Sequence, residues 1–285
     1  DTWKYWISHN INRGVSKEDI FKILLKNNYD YETIKVELGY DLKCKSDNIS
    51  NADNICKIKE YNFSNIKIPN AKRFDSDKLV LFTIDDFLNE EECTKIIDIT
   101  KKNLRKSTLT VDNGDKYFRT SETCDLYETN DLYETNDLYI EHIDNKICKA
   151  LNISSVYGEK IQSQYYKVGE EFKLHTDFFG SEDYNEHCSK LGNRTWTFMI
   201  YLNNVEDGGS TYMKEIDHRF KPKLGMALIW CSLNDNGEPN INTLHAGEPI
   251  IKGEKYIITK WFRENKYNHD TPAPTCEGMH DNVCE

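Results

Sequence analysis

His175-Thr176-Asp177, with His245 far downstream, is the feature that most restricts what this chain can become. Residues at i and i+2 of a strand project to the same face. A strand through this tripeptide therefore aims an imidazole and a carboxylate at one point, where a single metal ion can take both. A later histidine such as His245 can complete a face of two histidines and one carboxylate. That set suits non-haem Fe(II), because it leaves positions open for a co-substrate and O2. An isolated His-x-Asp is weak by itself, since a surface or capping pair has the same spelling. The surrounding sequence carries the weight.

From Ile161 onward the pattern is one of short strands punctuated by turns. Trp196, Phe198, Ile200 and Leu202 alternate with Thr195, Thr197, Met199 and Tyr201, the period of two expected of a strand. Gly208-Gly209 marks a turn. Phe220 to Trp230 reads as further strand, interrupted at Pro222 and Gly225, and Tyr256 to Phe262 as another. Short strands spaced in this way suggest a sandwich or jelly roll. Upstream, the run from Leu79 to Ile84 reads as a strand. Asn89 caps a helix, with Glu92 at the reciprocal capping position and Cys93, Ile96 and Ile97 on the buried side. Helices outside a strand-rich core make the fold class α+β.

Three stretches carry a resemblance. The first runs from Ile161 through Tyr165-Tyr166-Lys167-Val168-Gly169 to His175-Thr176-Asp177-Phe178-Phe179. The second runs from Arg194 to Asn203 and on into Gly208-Gly209-Ser210-Thr211. The third is His245-Ala246-Gly247-Glu248-Pro249-Ile250, followed by Lys255 and the run Tyr256 to Phe262. In their order and spacing they resemble the prolyl 4-hydroxylase branch of the Fe(II)/2-oxoglutarate dioxygenases, over residues 76–264. The resemblance implies a double-stranded β-helix (jelly-roll) core with flanking helices. It implies Fe(II) held by His175, Asp177 and His245, which become the catalytic residues. 2-Oxoglutarate and O2 follow as co-substrates, with ascorbate as an accessory.

Lys255 is by resemblance the cation for the far carboxylate of 2-oxoglutarate, and a buried lysine would hold an incoming carboxylate well. Tyr166 is by resemblance the tyrosine that hydrogen-bonds 2-oxoglutarate, while Tyr165 faces the other way. Thr259 and Trp261 alternate with Lys260 on the last strand, and either lines the pocket. Arg194 and Trp230 stand where family members contact substrate; a surface salt bridge and a core tryptophan are their competing readings. The implied chemistry hydroxylates an unactivated C–H bond while 2-oxoglutarate is converted to succinate and CO2, with the metal and co-substrate supplying the reactivity. The implied target is proline in a peptide or protein, or alternatively a free cyclic amino acid of the proline or pipecolate type. Two readings from other classes compete. A catalytically silent jelly-roll binding module would have lost a ligand or the lysine. A cupin-type metal enzyme without 2-oxoglutarate would have no reason to keep Lys255. All four residues are present.

Along the chain, residues 1–41 read as a small helical module. Ser16 acts as an N-cap with Asp19 three residues on, and Ile20, Phe21, Ile23 and Leu24 form an apolar stripe. Asp30 caps a short helix carrying Ile34 and Leu38, and Gly39 suits its end. Three short helices of this kind resemble a ubiquitin-associated-like bundle. Such a module either binds a partner or substrate or serves only in packing or dimerisation. Residues 42–75 are rich in Asn, Lys, Ser and Asp and read as linker. Residues 265–285 read as a loose tail, where Cys276, His280 and Cys284 form only a faint metal motif. The hexapeptide Asp125-Leu126-Tyr127-Glu128-Thr129-Asn130 recurs as Asp131–Asn136, and a third copy begins at Asp137. Two copies cannot build a solenoid, so the repeat reads as a duplication that lengthens a surface loop, neutral or shaping a lid.

The chain has 285 residues, enough for one sizeable domain and a small appendage. A formal net charge of −11 argues against nucleic acid as a partner, because phosphate backbones need basic surface. No apolar run approaches a membrane span. No secretory signal is legible, and a start at Asp1 instead of Met suggests an N-terminal segment removed. The 9 cysteines are odd in number and lack Cys-x-x-Cys spacing, so reduced thiols and a cytoplasmic location are expected. Four Asn-x-Ser/Thr triplets, at Asn48, Asn62, Asn152 and Asn193, carry no weight in an Asn-rich chain. Composition sets no oligomeric state.

Overall fold

The computed structural model describes residues 7, 10–11, 16–26, 29–39, 66–109, 114–115, 117–126, 134–180 and 184–266. The chain divides into two compact units, Asp1–Lys57 and Ile58–Glu285.

In the first unit, α1 (Lys17–Lys26) and α2 (Tyr31–Leu38) are set by their caps. Ser16 Oγ accepts the amide of Asp19 at 3.1 Å, and Asp30 accepts that of Thr33 at 3.0 Å, each satisfying an N–H that helix geometry leaves free. Gly39 closes α2 in the left-handed region at φ 53°. Ile20, Phe21 and Leu24 meet Ile34 and Leu38 in a small core. Ile23 is turned outward and is 40% exposed, so the inward stripe runs through Phe21 instead. A third helix and most of the linker fall outside the described residues.

The second unit begins with β1 (Lys72–Arg73) and β2 (Leu81–Ile84), followed by α3 (Glu90–Lys102), β3 (Arg105–Lys106) and β4 (Glu122–Asp125). Helix α4 (Glu134–Leu151) leads to β5 (Gln162–Tyr166), β6 (Phe172–His175) and the short α5 (Tyr184–His187). Then come β7 (Arg194–Tyr201), β8 (Asp207–Gly208), β9 (Thr211–Met213), β10 (His218–Phe220) and β11 (Ala227–Cys231). The unit ends with β12 (His245–Gly247), β13 (Ile250–Lys252) and β14 (Lys255–Arg263). Among the described residues, eight strands form one sheet in the order β1-β2-β11-β7-β14-β5-β4-β3, and β10-β9-β12-β6 form a second. The named strand pairs are antiparallel, as in a jelly roll. Residues 72–73, read as linker, are an edge strand of the large sheet, pairing Lys72 with Thr83.

The alternation along β7 decides what each face does. Trp196, Phe198 and Ile200 join Cys93, Ile96 and Ile99 of α3 and Ile140, Ile143 and Ile147 of α4 in the main core. Met199 and Tyr201 face the other way, into a second cluster with Met213, Leu228, Trp230 and Ile257. The strand is thus buried on both faces, with helices on one side and the small sheet on the other. Strand β14 obeys the same rule. Tyr256, Ile258 and Phe262 pack towards the helices, while Lys255, Ile257, Thr259 and Trp261 line a cavity on the opposite face.

Helix α3 starts where the capping box places it. Asn89 Oδ1 accepts the Glu92 amide and the Glu92 carboxylate accepts the Asn89 amide, both at 2.8 Å. The hexapeptide repeat does not form a simple surface loop. Its first copy ends β4 and buries Leu126 at 1% exposure, whereas the copy beginning at Asp137 is helical and leaves Leu138 65% exposed. Residues 127–133 lie outside the described set. The described residues include no helix long and apolar enough to cross a membrane. The tail with Cys276, His280 and Cys284 also falls outside the described residues.

Candidate active site

His175 closes β6, and Asp177 lies in the bend just beyond it. The expectation that both stand on one strand therefore holds for the histidine alone. They converge through an irregular register. His245 of β12 faces His175, while Gly247 faces Phe172, so β6 carries one more residue than its partner. Such a bulge bends a strand and re-aims its side chains. Here it lays the Phe172 ring on the His175 ring, with centroids 3.5 Å apart. Beyond the strand end, Thr197 Oγ1 donates to Asp177 Oδ2 at 2.6 Å. One carboxylate oxygen is thereby held against β7.

One ligand atom each from His175, Asp177 and His245 lie within 4.8 Å of one another. His175 Nδ1 is 2.7 Å from the Lys173 carbonyl and His245 Nδ1 is 2.9 Å from the Thr243 carbonyl. A carbonyl oxygen only accepts, so each Nδ1 carries the proton and each Nε2 keeps its lone pair for a metal. Burial, with the neighbouring His245 adding to it, pushes His175 down to about 3, so the ring is neutral, as a metal ligand must be. Burial alone would raise Asp177. His245, His175, Arg194 and the Thr197 hydrogen bond outweigh it and hold the carboxylate ionised.

The same cavity is lined by Lys255, Tyr166, Thr259, Trp261 and Trp230. Lys255 is 1% exposed and donates to the Gly209 carbonyl at 3.0 Å. Among the described residues no carboxylate is ion-paired with it. Burial draws its pKa down to about 7, against a small opposing pull from Glu248. Tyr166 lies beneath it, with the ring centroid 4.4 Å from Nζ. Tyr165 instead stacks on Tyr256 and donates to Glu254. Gly209 sits at φ 69°, and a Cβ there would stand 2.6 Å from Ile250 Cδ1. Only glycine lets that carbonyl reach Lys255. Thr259 donates to Gln164 at 3.1 Å. Trp230 meets His245 edge-on at 4.8 Å.

Arg194 is a correction. Its guanidinium grips Glu159 in two-point fashion, at 2.7 and 2.8 Å, and lies 4.1 Å from the Trp261 ring centroid. It is not among the cavity-lining residues. The salt-bridge reading wins, though with a half-buried carboxylate rather than at the surface. Arg194 braces the site from behind: its Nη1 reaches the Asp177 carbonyl at 3.4 Å.

A family model described as the 2OG-Fe(II) oxygenase superfamily matches residues 161–263. Prolyl 4-hydroxylase 13 of Arabidopsis thaliana is 30% identical over 205 residues, spanning 66% of this chain and 72% of that protein. The chain belongs to the 2-oxoglutarate–Fe(II) oxygenase superfamily. Within it, this is a prolyl 4-hydroxylase-like, 2-oxoglutarate-dependent dioxygenase. Prolyl 4-hydroxylase subunit alpha-3 of Mus musculus is 31% identical over 196 residues, covering 67% of this chain and 35% of that subunit. The crystal structure of a viral collagen prolyl hydroxylase from Paramecium Bursaria Chlorella virus-1, in its 2OG complex, superposes with a TM-score of 0.50 at 27% identity. That match covers 64% of this chain and 95% of the viral one.

The superfamily implies Fe(II), 2-oxoglutarate and O2, and the site's chemistry fits them. Two imidazoles and one carboxylate are the donor set for Fe(II) with open positions. A buried lysine that is ion-paired with no carboxylate among the described residues is the complement of a dicarboxylate. Two further donors lack acceptors: the buried indole N–H groups of Trp230 and Trp261, both on residues that line this oxygenase's cavity.

Sequence reasoning missed Arg119, Gln164, Phe172, Thr197, Met199 and Thr211, which complete much of the wall. Thr197 and Met199 were within reach, because the face of β7 opposite Phe198 had to point somewhere. Phe172 required the bulge, which no local pattern announces. Arg119 meets Phe172 through an isolated antiparallel bridge, a contact made by the fold alone. Asn193 also finds a use. Its amide, 3% exposed, accepts from the Phe179 amide and donates to the Phe179 carbonyl, both at 2.9 Å, clamping the segment after Asp177.

Proposed function

We propose that this oxygenase hydroxylates a prolyl residue in a peptide or protein. The observation that carries the reading is a cavity holding the His175–Asp177–His245 cluster beside the buried Lys255, which is ion-paired with no carboxylate among the described residues. His175, Asp177 and His245 are assigned as the Fe(II) ligands through the two Nε2 atoms and the Asp177 oxygen not engaged by Thr197. Lys255, with Tyr166 beneath it, is assigned the far carboxylate of 2-oxoglutarate; Thr259 and Trp261 form the adjacent wall. Bound there, Fe(II) and 2-oxoglutarate would supply the oxidation of an unactivated C–H bond, with succinate and CO2 formed. The chain's own part is positional. Thr197 keeps one carboxylate oxygen away from the metal, the Lys173 and Thr243 carbonyls fix the tautomers, and Arg194 and Asn193 hold the loop. Trp230, against His245, is assigned to the wall that the substrate meets. Ascorbate is assigned as an accessory reductant. Proline as target is supported by the prolyl hydroxylase names of the relatives. The domain pattern, a ubiquitin-associated-like module at 1–41 before an oxygenase domain, belongs to the same reading and gives the module a recruiting role.

The test is Fe(II)-dependent succinate formation from 2-oxoglutarate, with proline-rich peptides in one set and free L-proline or pipecolate in another. Stimulation by peptides that gain one oxygen atom in mass is the expected result. Stimulation by the free amino acids alone would make this a small-molecule hydroxylase. Succinate unaffected by either would discard proline.

A further inference from the structure

A row of hydrogen-bonded side chains joins the cavity wall to the protein surface. Thr259 Oγ1 donates to Gln164 Oε1 at 3.1 Å. Gln164 Nε2 donates to Gln162 Oε1 at 3.0 Å, and Gln162 Nε2 to Asp125 Oδ1 at 3.0 Å. Asp125 is ion-paired with Arg105. The row crosses β14, β5, β4 and β3, which lie side by side in the large sheet. Gln162 stands opposite Thr259 in one register and opposite Asp125 in the other. Thr259 and Gln164 line the cavity and are buried, whereas Asp125 is not among the lining residues.

The direction of every bond follows from the far end of the row. A carboxylate only accepts, so the amide nitrogen of Gln162 must face Asp125. A guanidinium only donates, and Arg119 Nη2 lies 3.3 Å from Gln162 Oε1, which demands the same orientation from a second side. The Gln162 oxygen then takes the nitrogen of Gln164, and the Gln164 oxygen takes the proton of Thr259. A hydroxyl has one proton to give. Thr259 therefore turns only lone pairs towards the cavity.

Its place along β14 gives that polarity a consequence. Lys255, Ile257, Thr259 and Trp261 follow one another on the cavity face. Trp261 is in register with Thr197, which holds Asp177. Thr259 thus stands between the Lys255 end of the pocket and the metal-ligand end. 2-Oxoglutarate placed across those ends has methylene groups between its two polar heads. A 2-oxo dicarboxylate one methylene shorter ends short of Lys255, with its carboxylate facing the lone pairs of Thr259.

We propose that Asp125, acting through Gln162 and Gln164, is a positioning residue that holds Thr259 as an acceptor and so makes the pocket reject 2-oxo dicarboxylates shorter than 2-oxoglutarate. The inference rests on the placement of 2-oxoglutarate between the metal ligands and Lys255. It does not depend on proline as the target, and its test contains no hydroxylation substrate. Full-length protein loaded with Mn(II) is titrated in a calorimeter with 2-oxoglutarate and with freshly dissolved oxaloacetate. Wild type should bind 2-oxoglutarate well and oxaloacetate poorly. Gln164→Met removes the acceptor that occupies the Thr259 proton, so the hydroxyl becomes free to donate to a carboxylate. Oxaloacetate should then bind about tenfold tighter, the scale of a charge-assisted hydrogen bond, with 2-oxoglutarate little changed. Asp125→Asn, outside the cavity, should act in the same direction. Adding Thr259→Val to either variant should cancel the gain, because no hydroxyl is left to turn. A damaged fold loses affinity, so a gain for one ligand separates the relay from a merely structural role. Oxaloacetate binding unmoved by Gln164→Met and Asp125→Asn overturns the relay and leaves the oxygenase site intact. A gain that persists with Thr259→Val overturns it too, since it then comes from altered space. Wild type that binds both acids equally overturns the selection. Wild type that does not bind 2-oxoglutarate discards its placement and the inference together.

Discussion

The site's chemistry is set by a few side chains and the partners that orient them. With Nδ1 spent on a carbonyl, His175 and His245 have one nitrogen to offer. His175→Ala or Asp177→Ala should therefore abolish Co(II) binding, read by visible absorption, and Fe(II)-dependent turnover, with the circular dichroism spectrum unchanged. Metal binding retained at wild-type strength would refute the ligand assignment. Lys255 makes a pH prediction. Its pKa is drawn down to about 7 by burial, but a bound carboxylate needs the ammonium form. As pH rises past that value, binding must take up a proton, so the KM for 2-oxoglutarate should rise by up to about tenfold per pH unit. A flat KM across that range would show that Lys255 is not the receptor. Its folded pKa lies below the ordinary lysine value, so the unfolded chain binds the extra proton between the two. The burial penalty is fully present below about 7 and fades as pH rises towards 10.5. Lys255→Met should accordingly melt no lower than wild type in the ligand-free state while losing 2-oxoglutarate affinity.

At the scale of elements, helix α3 couples a local signal to tertiary packing. The Asn89–Glu92 capping box fixes its start, and the same Glu92 carboxylate takes Lys146 of α4 at 2.8 and 2.9 Å. One residue thus ends one helix and ties it to another. Asn89→Ala should cost about 1 kcal/mol in chemical denaturation, the usual value of an N-cap, with KM values untouched because α3 packs on the sheet face away from the cavity. A shift in KM would mean that the helix layer is coupled to the site. Asp-Leu-Tyr opens each copy of the hexapeptide repeat, yet the first copy finishes β4 with Leu126 in the core and the partial third copy lies in α4 with Leu138 exposed. Neighbours, not the shared Asp-Leu pair, choose the conformation.

Across the whole molecule, a buried charge cluster joins the helix layer to the active-site loop. Lys260 of β14 pairs with Asp144 of α4 at 2.5 Å and donates to the Glu159 carbonyl. The Glu159 carboxylate takes both Arg194 and Arg263. Burial would raise Glu159, but the two arginines overcome it and bring it to about 2. Its folded pKa is below the usual value of 4.5, so its stabilisation is complete above that value and is lost as pH falls towards about 2. The contribution is on the order of 3 kcal/mol. Glu159→Gln should lower stability near neutral pH by about 3–5 kcal/mol, as for a broken buried ion pair, and flatten the acid limb of a stability–pH curve. An unchanged acid limb would show that another carboxylate governs it.

Much of this was legible in the sequence, for physical reasons. The period of two along β7 gave both of its faces, because a strand buried on two sides still alternates. The order of His175, Asp177, His245 and Lys255 within the three family-like stretches pointed to residues that the fold brings to one cavity. The caps at Ser16, Asp30 and Asn89 declared three helix starts, because capping is a contact within one turn. What the tertiary structure decided lies where contacts join distant segments. The bulge in β6 brings Phe172 onto His175. The bridge from residue 119 puts a second cation on the cavity wall. Glu159 turns Arg194 from a substrate contact into a brace. A side chain's charge is written in the sequence; whether another charge answers it depends on which strands the fold lays side by side.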